Sequence, residues 1–219
     1  MKDRFEVPVT AVLDRLEAGE SPARVCETLC VGAGDLIAAL AHDALEAHRP
    51  SLVQEAPRRP RLAGALCEGA WAELLPGATR PARLALAAGL LQIFDFWTAS
   101  HEAAQQADDL GERAASAYWH AIAHRREPDP DNAAYWFRRV GRHEIFPKLA
   151  DAARPLLDAY GDPALAAKLL KDGRWDPFAF IDLGTRTRPA SPAADLAAQI
   201  QRQEMGLLLD ATAALVLKA

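Results

Sequence analysis

Two histidines four positions apart, His120 and His124, stand in the run Tyr118-Trp119-His120-Ala121-Ile122-Ala123-His124-Arg125-Arg126-Glu127, the densest polar and aromatic cluster of the chain. On a helix, spacings of three and four bring His120, His124 and Glu127 toward one locus. Paired imidazoles at that spacing suit a divalent metal, or a general base and acid, because imidazole titrates near neutral pH. If the chain folds back at Asp108 to Gly111, His101 lies about as far before the turn as His120 lies beyond it. The expected metal ligands are therefore His101, His120 and His124, with one coordination position open to water or substrate. Glu102, Glu127 or Glu204 could supply a carboxylate. The expected catalytic set is His120, His124, Glu127 and Glu204, and the cofactor, if one binds, is a divalent metal such as zinc. The plainer alternative stays open, in which the histidines only form hydrogen bonds near a core.

A second concentration is basic. Arg125, Arg126, Arg138, Arg139, Arg142, His143 and Lys148 surround the punctuated loop Glu127 to Asn132 in an otherwise acidic chain. Guanidinium forks hold carboxylate or phosphate in bidentate fashion. Arg125, Arg126, Arg138 and Arg139, with Tyr118, Tyr135 and Trp175, are thus the expected contacts to a small anionic substrate. The alternative is a surface network neutralised by Asp129, Asp131 and Glu144. Two weaker signals carry less. His42-Asp43 resembles the paired ligand of HD phosphohydrolases without its spaced partners, and Cys26 and Cys30 share a helical face with no second cysteine pair to complete a zinc site.

The segment from Ser116 to His143, with its YWHxxxHRREPD and NxxYWFRRVG elements, resembles the signature of an all-helical family of bacteria and fungi that has no established activity. Trp175-Asp176-Pro177-Phe178-Ala179-Phe180 and Gln203-Glu204 resemble that family's second and third motifs, so the likeness extends over roughly residues 90 to 210. It implies that His101, His120, His124, Glu127, Arg138, Arg139, Asp176 and Glu204 belong to one functional half. The family pattern places acidic residues just before the first histidine, where this chain has Thr98-Ala99-Ser100, a departure that bears on whether this member is active.

These residues need elements to hold them. The 219-residue chain is 50% hydrophobic, and alanine and leucine dominate while the β-branched residues that favour strands are sparse. Helix is the expected state nearly everywhere. Period-3.6 segments are expected at Val9–Leu16, after Ser21-Pro22, from Asp35 to His48, at Arg61–Leu75, from Pro81 to about residue 106 and from Arg113 to Arg126. Further helices are expected through Tyr135 to Gly141, from Pro147 to Tyr160, after Asp162-Pro163 and after Ser191-Pro192, with Gly173–Leu183 as an aromatic-rich loop. The fold class is all-α: a multi-helix bundle of about eight to ten helices around a central antiparallel helical hairpin. It reads as one domain over 1–219, leaving open an N-terminal helical lobe over 1–78 beside a signature-bearing half over 79–219.

A net charge of −5 argues against nucleic acid or an anionic membrane as partner. No apolar run is long enough to span a bilayer, and three cysteines without a disulfide framework suggest a reducing cytoplasm. The leading expectation is a small-molecule enzyme of hydrolase or lyase type. The alternative is a non-catalytic helical module that binds a metabolite or a partner protein. The sequence does not indicate an oligomeric state.

Overall fold

A recurrent dipeptide starts five of the helices. Ser21, Asp129, Asp162, Asp176 and Ser191 each precede a proline, and each side chain accepts backbone N–H bonds from the first turn that follows. Proline loses nothing there, because its missing N–H would have no helical partner. The computed structural model describes residues 8–218. Its twelve α-helices are α1 (Val9–Glu17), α2 (Pro22–Leu29), α3 (Ala33–Ala41), α4 (Ala63–Leu66), α5 (Arg80–Ile93), α6 (Trp97–Asp109), α7 (Ala115–Arg126), α8 (Pro130–Val140), α9 (Ile145–Tyr160), α10 (Pro163–Leu169), α11 (Pro177–Arg186) and α12 (Pro192–Leu217). The only strands among the described residues are β1 (Leu170–Lys171) and β2 (Arg174–Trp175), an antiparallel pair. The all-α class holds.

Three segments depart from the expected elements. The helix expected at Arg61–Leu75 is broken into a 3₁₀ turn at Pro60–Leu62, the single turn of α4, and a second 3₁₀ turn at Glu68–Trp71. Cys67 is extended between them, at φ −73° and ψ 152°, and Gly64 and Gly69 flank it in a stretch with little helix propensity.

The long helix expected from Pro81 to about residue 106 bends sharply between α5 and α6. Asp95 adopts the left-handed conformation at φ 65°, which a short polar side chain tolerates better than its apolar neighbours would. Its carboxylate then accepts from Arg126 Nη2 at 2.5 Å. The apolar pattern runs unbroken across this corner, so periodicity alone does not reveal it.

The loop expected at Gly173–Leu183 is instead a tight β-turn followed by α11. Asp172 and Gly173 sit at φ 52° and 74°, the two-residue turn that joins paired strands, and Asp176-Pro177 then starts the helix.

The interior is built around α5, which buries every residue from Leu84 to Ile93 and packs on α6, α7 and α12. Gly89 allows the close approach of α7: a Cβ there would lie 2.7 Å from the Trp119 ring. Trp119 Nε1 donates to Thr212 Oγ1 of α12 at 3.1 Å. α7 buries all twelve of its residues. A second apolar cluster, including Leu149, Leu157, Trp175, Phe180 and Ile200, lies between α9, α11 and α12. Among the described residues no single helix is long and apolar enough to cross a membrane; α2 with the stretch Ala33–Ala47 reaches that composition only jointly, across a 105° bend.

Candidate metal centre

α6 and α7 are joined by the short turn after Asp109 and pack against each other, so the first turns of α6 lie beside the later turns of α7. His101 of α6 meets His120 and His124 of α7 there. His101 Nε2 and His120 Nε2 are 2.8 Å apart, and the His101 ring stands edge-on to both others, with centroids at 4.2 and 5.0 Å. His120 and His124 are nearly parallel at 5.0 Å, as expected for neighbours one turn apart. One nitrogen from each of the three rings lies within 4.8 Å of the others.

Aromatic walls fix the rings. His120 stacks on Trp136 of α8, centroids 3.8 Å apart at 15°. His101 stacks on Trp97 at 5.2 Å, and Trp97 is anchored by its Nε1 donating to the Ala123 carbonyl at 2.8 Å. His120 and His124 are buried, at 1% and 8% exposure, while His101 is partly exposed. The cluster therefore has a dry floor and an accessible rim.

Burial pushes the His120 imidazole down to about 3, helped by His101 and His124 nearby and by Arg139. His101 is lowered by burial and then by His124, against the opposing pull of Glu127 and Glu102. Both rings are thus held in the neutral form that a metal ligand requires. Coordination to one tetrahedral ion of the zinc type would set ligand nitrogens about 3.3 Å apart, from Zn–N bonds of about 2.0–2.1 Å. The His101–His120 pair, at 2.8 Å, must open slightly to reach that, while the other nitrogen separations lie within 4.8 Å.

Glu127 Oε2 lies 3.0 Å from His124 Nδ1, which leaves Nε2 of that ring for the cluster. A carboxylate on the outer nitrogen of a ligating histidine fixes its tautomer and raises its basicity. Asp129 comes near the same edge and forms a second acid–histidine group with His124 and Glu127. One of its oxygens accepts from the Asn132 backbone N–H at 3.1 Å and the other from the Asn132 side chain at 2.6 Å, so Asp129 is already engaged in starting α8. His120 Nδ1 is buried without a hydrogen-bond partner, an orphan polar atom on the floor of the cluster.

Other residues expected at the site lie elsewhere. Arg125, one position past His124, points away into the interior. Its Nη2 bonds Glu204 Oε2 at 2.5 Å and Gln201 Oε1 at 3.2 Å, and its guanidinium lies 4.5 Å from the centre of the Phe180 ring. Tyr118 donates to Glu204 Oε1 at 2.9 Å, and burial followed by the Glu204 charge raises that phenol well above its ordinary range. Glu204, expected as a catalytic carboxylate, belongs to this network and not to the histidines. Arg126 is likewise consumed: it pairs with Asp95 and donates to the carbonyls of Ser51, Gln92 and Val53.

Of the remaining expected residues, Arg139 is nearest the cluster, 5.1 Å over Trp136 and bonded to Asp108 Oδ2 at 2.6 Å. Tyr135 is exposed and edge-on to Trp136 at 5.5 Å. Arg138 lies 5.9 Å from the Phe178 ring centre, and Trp175 packs on Phe180 at 5.1 Å. Sequence reasoning missed Trp97, although its place four before His101 on the same helix carried the signal. Compared with known protein families, curated proteins and solved structures, the chain matches none.

Proposed function

We propose that this protein binds one divalent transition-metal ion of the zinc class through His101, His120 and His124, ligands supplied by a central antiparallel hairpin of α6 and α7. The observation that carries the reading is the convergence of three imidazole nitrogens within 4.8 Å, two of them on buried rings. Glu127 orients His124 from outside. Three protein ligands leave a position for water or substrate. Such an ion supplies Lewis acidity and a bound water that ionises near neutral pH, as hydrolases and lyases use. The chain's own contribution is then to exclude water below the rings and to offer the exposed Glu127 carboxylate at the rim. Arg139, held over Trp136, is the cation placed to orient a small anionic molecule.

A second reading, a metal-binding module without catalysis, is favoured by one observation. Arg125, Arg126 and Glu204 are committed to buried ion pairs, and Arg139, the guanidinium of the expected set against the aromatic wall of the cluster, is itself paired with Asp108. We further propose a reducing, cytoplasmic setting, supported by three free thiols at Cys26, Cys30 and Cys67, and no nucleic-acid or membrane partner, supported by the net charge of −5.

The test is elemental analysis of protein purified without chelator, joined to titration of the stripped protein with Co(II) and Zn(II). One ion per chain and a tetrahedral Co(II) spectrum are expected, both lost in His120→Ala and His124→Ala at retained helicity. Full metal content in His120→Ala would overturn the assignment. Turnover of phosphate or carboxylate esters by the loaded protein separates the enzyme from the binding module.

A further inference from the structure

Beyond the end of α8, the start of α9, the β1–β2 turn and the start of α11 enclose an open groove of about 820 Å³, within the size range of small-molecule sites. Its walls combine two chemistries. Phe146, Trp175 and Phe178 present aromatic surface, and Arg142, Lys171 and Arg174 present positive charge. Trp175 is 5% exposed and its indole Nε1 has no hydrogen-bond partner.

The cations are unbalanced. Lys171 and Arg174 face each other directly across the two-strand ladder, an arrangement of like charges that weakens a β-pair. Among the described residues, neither of them nor Arg142 closes an ion pair within 4.0 Å. Two acids also line the groove, Asp172 and Asp176, and Asp176 Oδ1 is engaged by the Phe178 and Ala179 backbone N–H groups at 2.9 and 3.1 Å. α9 begins at the groove without a side-chain cap from Glu144, so its positive end adds to the same field. His143 accepts the Ile145 N–H on Nδ1 at 3.3 Å, which places its ring proton on Nε2, a further donor in the lining.

Three unpaired cations around a few aromatic faces fit a ligand with a doubly charged oxyanion and a flat ring. We propose that this groove binds a small phosphate monoester of a planar ring, the ring against Trp175, Phe146 and Phe178 and the phosphate between Lys171, Arg174 and Arg142. The site is separate from the histidine cluster, and its occupancy does not depend on a metal.

Calorimetric titration of the intact chain with phenyl phosphate, inorganic phosphate and benzyl alcohol tests this. Phenyl phosphate is expected to bind at least about tenfold more tightly than inorganic phosphate or the aromatic alcohol, with a loss of at least about tenfold in Arg174→Ala and in Lys171→Ala. Both residues are exposed, so neither substitution threatens the fold, and far-ultraviolet circular dichroism verifies that. The metal-stripped chain is expected to bind phenyl phosphate. Equal affinity for phenyl phosphate and inorganic phosphate, undiminished binding in Arg174→Ala, no binding at all, or binding only in the zinc-loaded chain would each overturn the proposal.

Discussion

Arg125 of α7 and Glu204 of α12 meet in the interior with Nη2 2.5 Å from Oε2 and side-chain exposures of 1% and 0%. An ion pair that dry is costly to break, because the surviving partner stays charged without a counter-ion. Glu204→Ala is expected to lower unfolding free energy by about 3–5 kcal/mol in urea titration, with Tyr118 also losing its acceptor. Arg125→Met with Glu204→Leu is expected to recover most of that loss. The metal content of Glu204→Gln is expected to match the parent, and a drop would mean that Glu204 reaches the histidines after all.

Stability is expected to fall with acid in a window set by the buried imidazoles. Folded His120 stays neutral down to about 3, whereas an unfolded imidazole titrates at about 6.5. Between those values the unfolded chain binds more protons, so the contribution is fully present above pH 6.5 and is lost as pH falls toward 3. His101 acts in the same sense. The His120 share is on the order of 4–5 kcal/mol over the whole window. Urea midpoints of the stripped protein measured from pH 7.5 to 4.5 are expected to decline more steeply in the parent than in His120→Gln.

Metal is expected to stabilise the fold in proportion to its free concentration. At 100 times Kd, zinc adds about 2.7 kcal/mol and raises Tm. Removing the carboxylate behind His124, as Glu127→Gln, is expected to weaken zinc by about 10–100-fold while leaving the stripped protein's Tm unchanged, since Glu127 is exposed. Unaltered zinc affinity in Glu127→Gln would mean that its 3.0 Å contact with His124 plays no part in binding.

Gly89→Ala is expected to lower stability by about 1–3 kcal/mol, the usual penalty for overpacking a filled core. The new methyl would sit 2.7 Å from the Trp119 ring, and that indole is pinned by Thr212. Combining the change with Trp119→Leu should give a loss smaller than the sum of the two, read from thermal denaturation. Strict additivity would show that the contact is not the cause.

What the sequence made legible follows from how local each signal is. The Ser-Pro and Asp-Pro starts of α2, α10 and α12 depend on adjacent residues alone, and the facing of His120 and His124 depends on one helical turn. The meeting of His101 with that pair needed only a short connection between two strongly periodic segments. The corner at Asp95 was hidden because Leu90, Leu91, Ile93, Phe94 and Phe96 keep the apolar pattern on both sides of it. The fate of Arg125 and Arg126 was hidden for a different reason: their partners Glu204 and Asp95 lie 79 and 31 positions away. Adjacent arginines beside histidines look alike in sequence whether they face solvent or a buried carboxylate. Lys171 and Arg174 gained significance only when the turn at Asp172-Gly173 set them opposite each other.

α7 has no wet side. Its twelve residues are all buried, with ion pairs locking Arg125 and Arg126 into opposite parts of the interior and Trp119 wedged against Gly89. A helix clamped all the way round cannot roll or slide without stranding a charge, so His120 and His124 hold their relative positions before any ion arrives. The ordering entropy that a floppy ligand set would surrender on coordination has already been spent in folding. Capture should therefore be limited chiefly by the arrival of the ion and the small turn of His101, the one ring of the three with freedom at the rim.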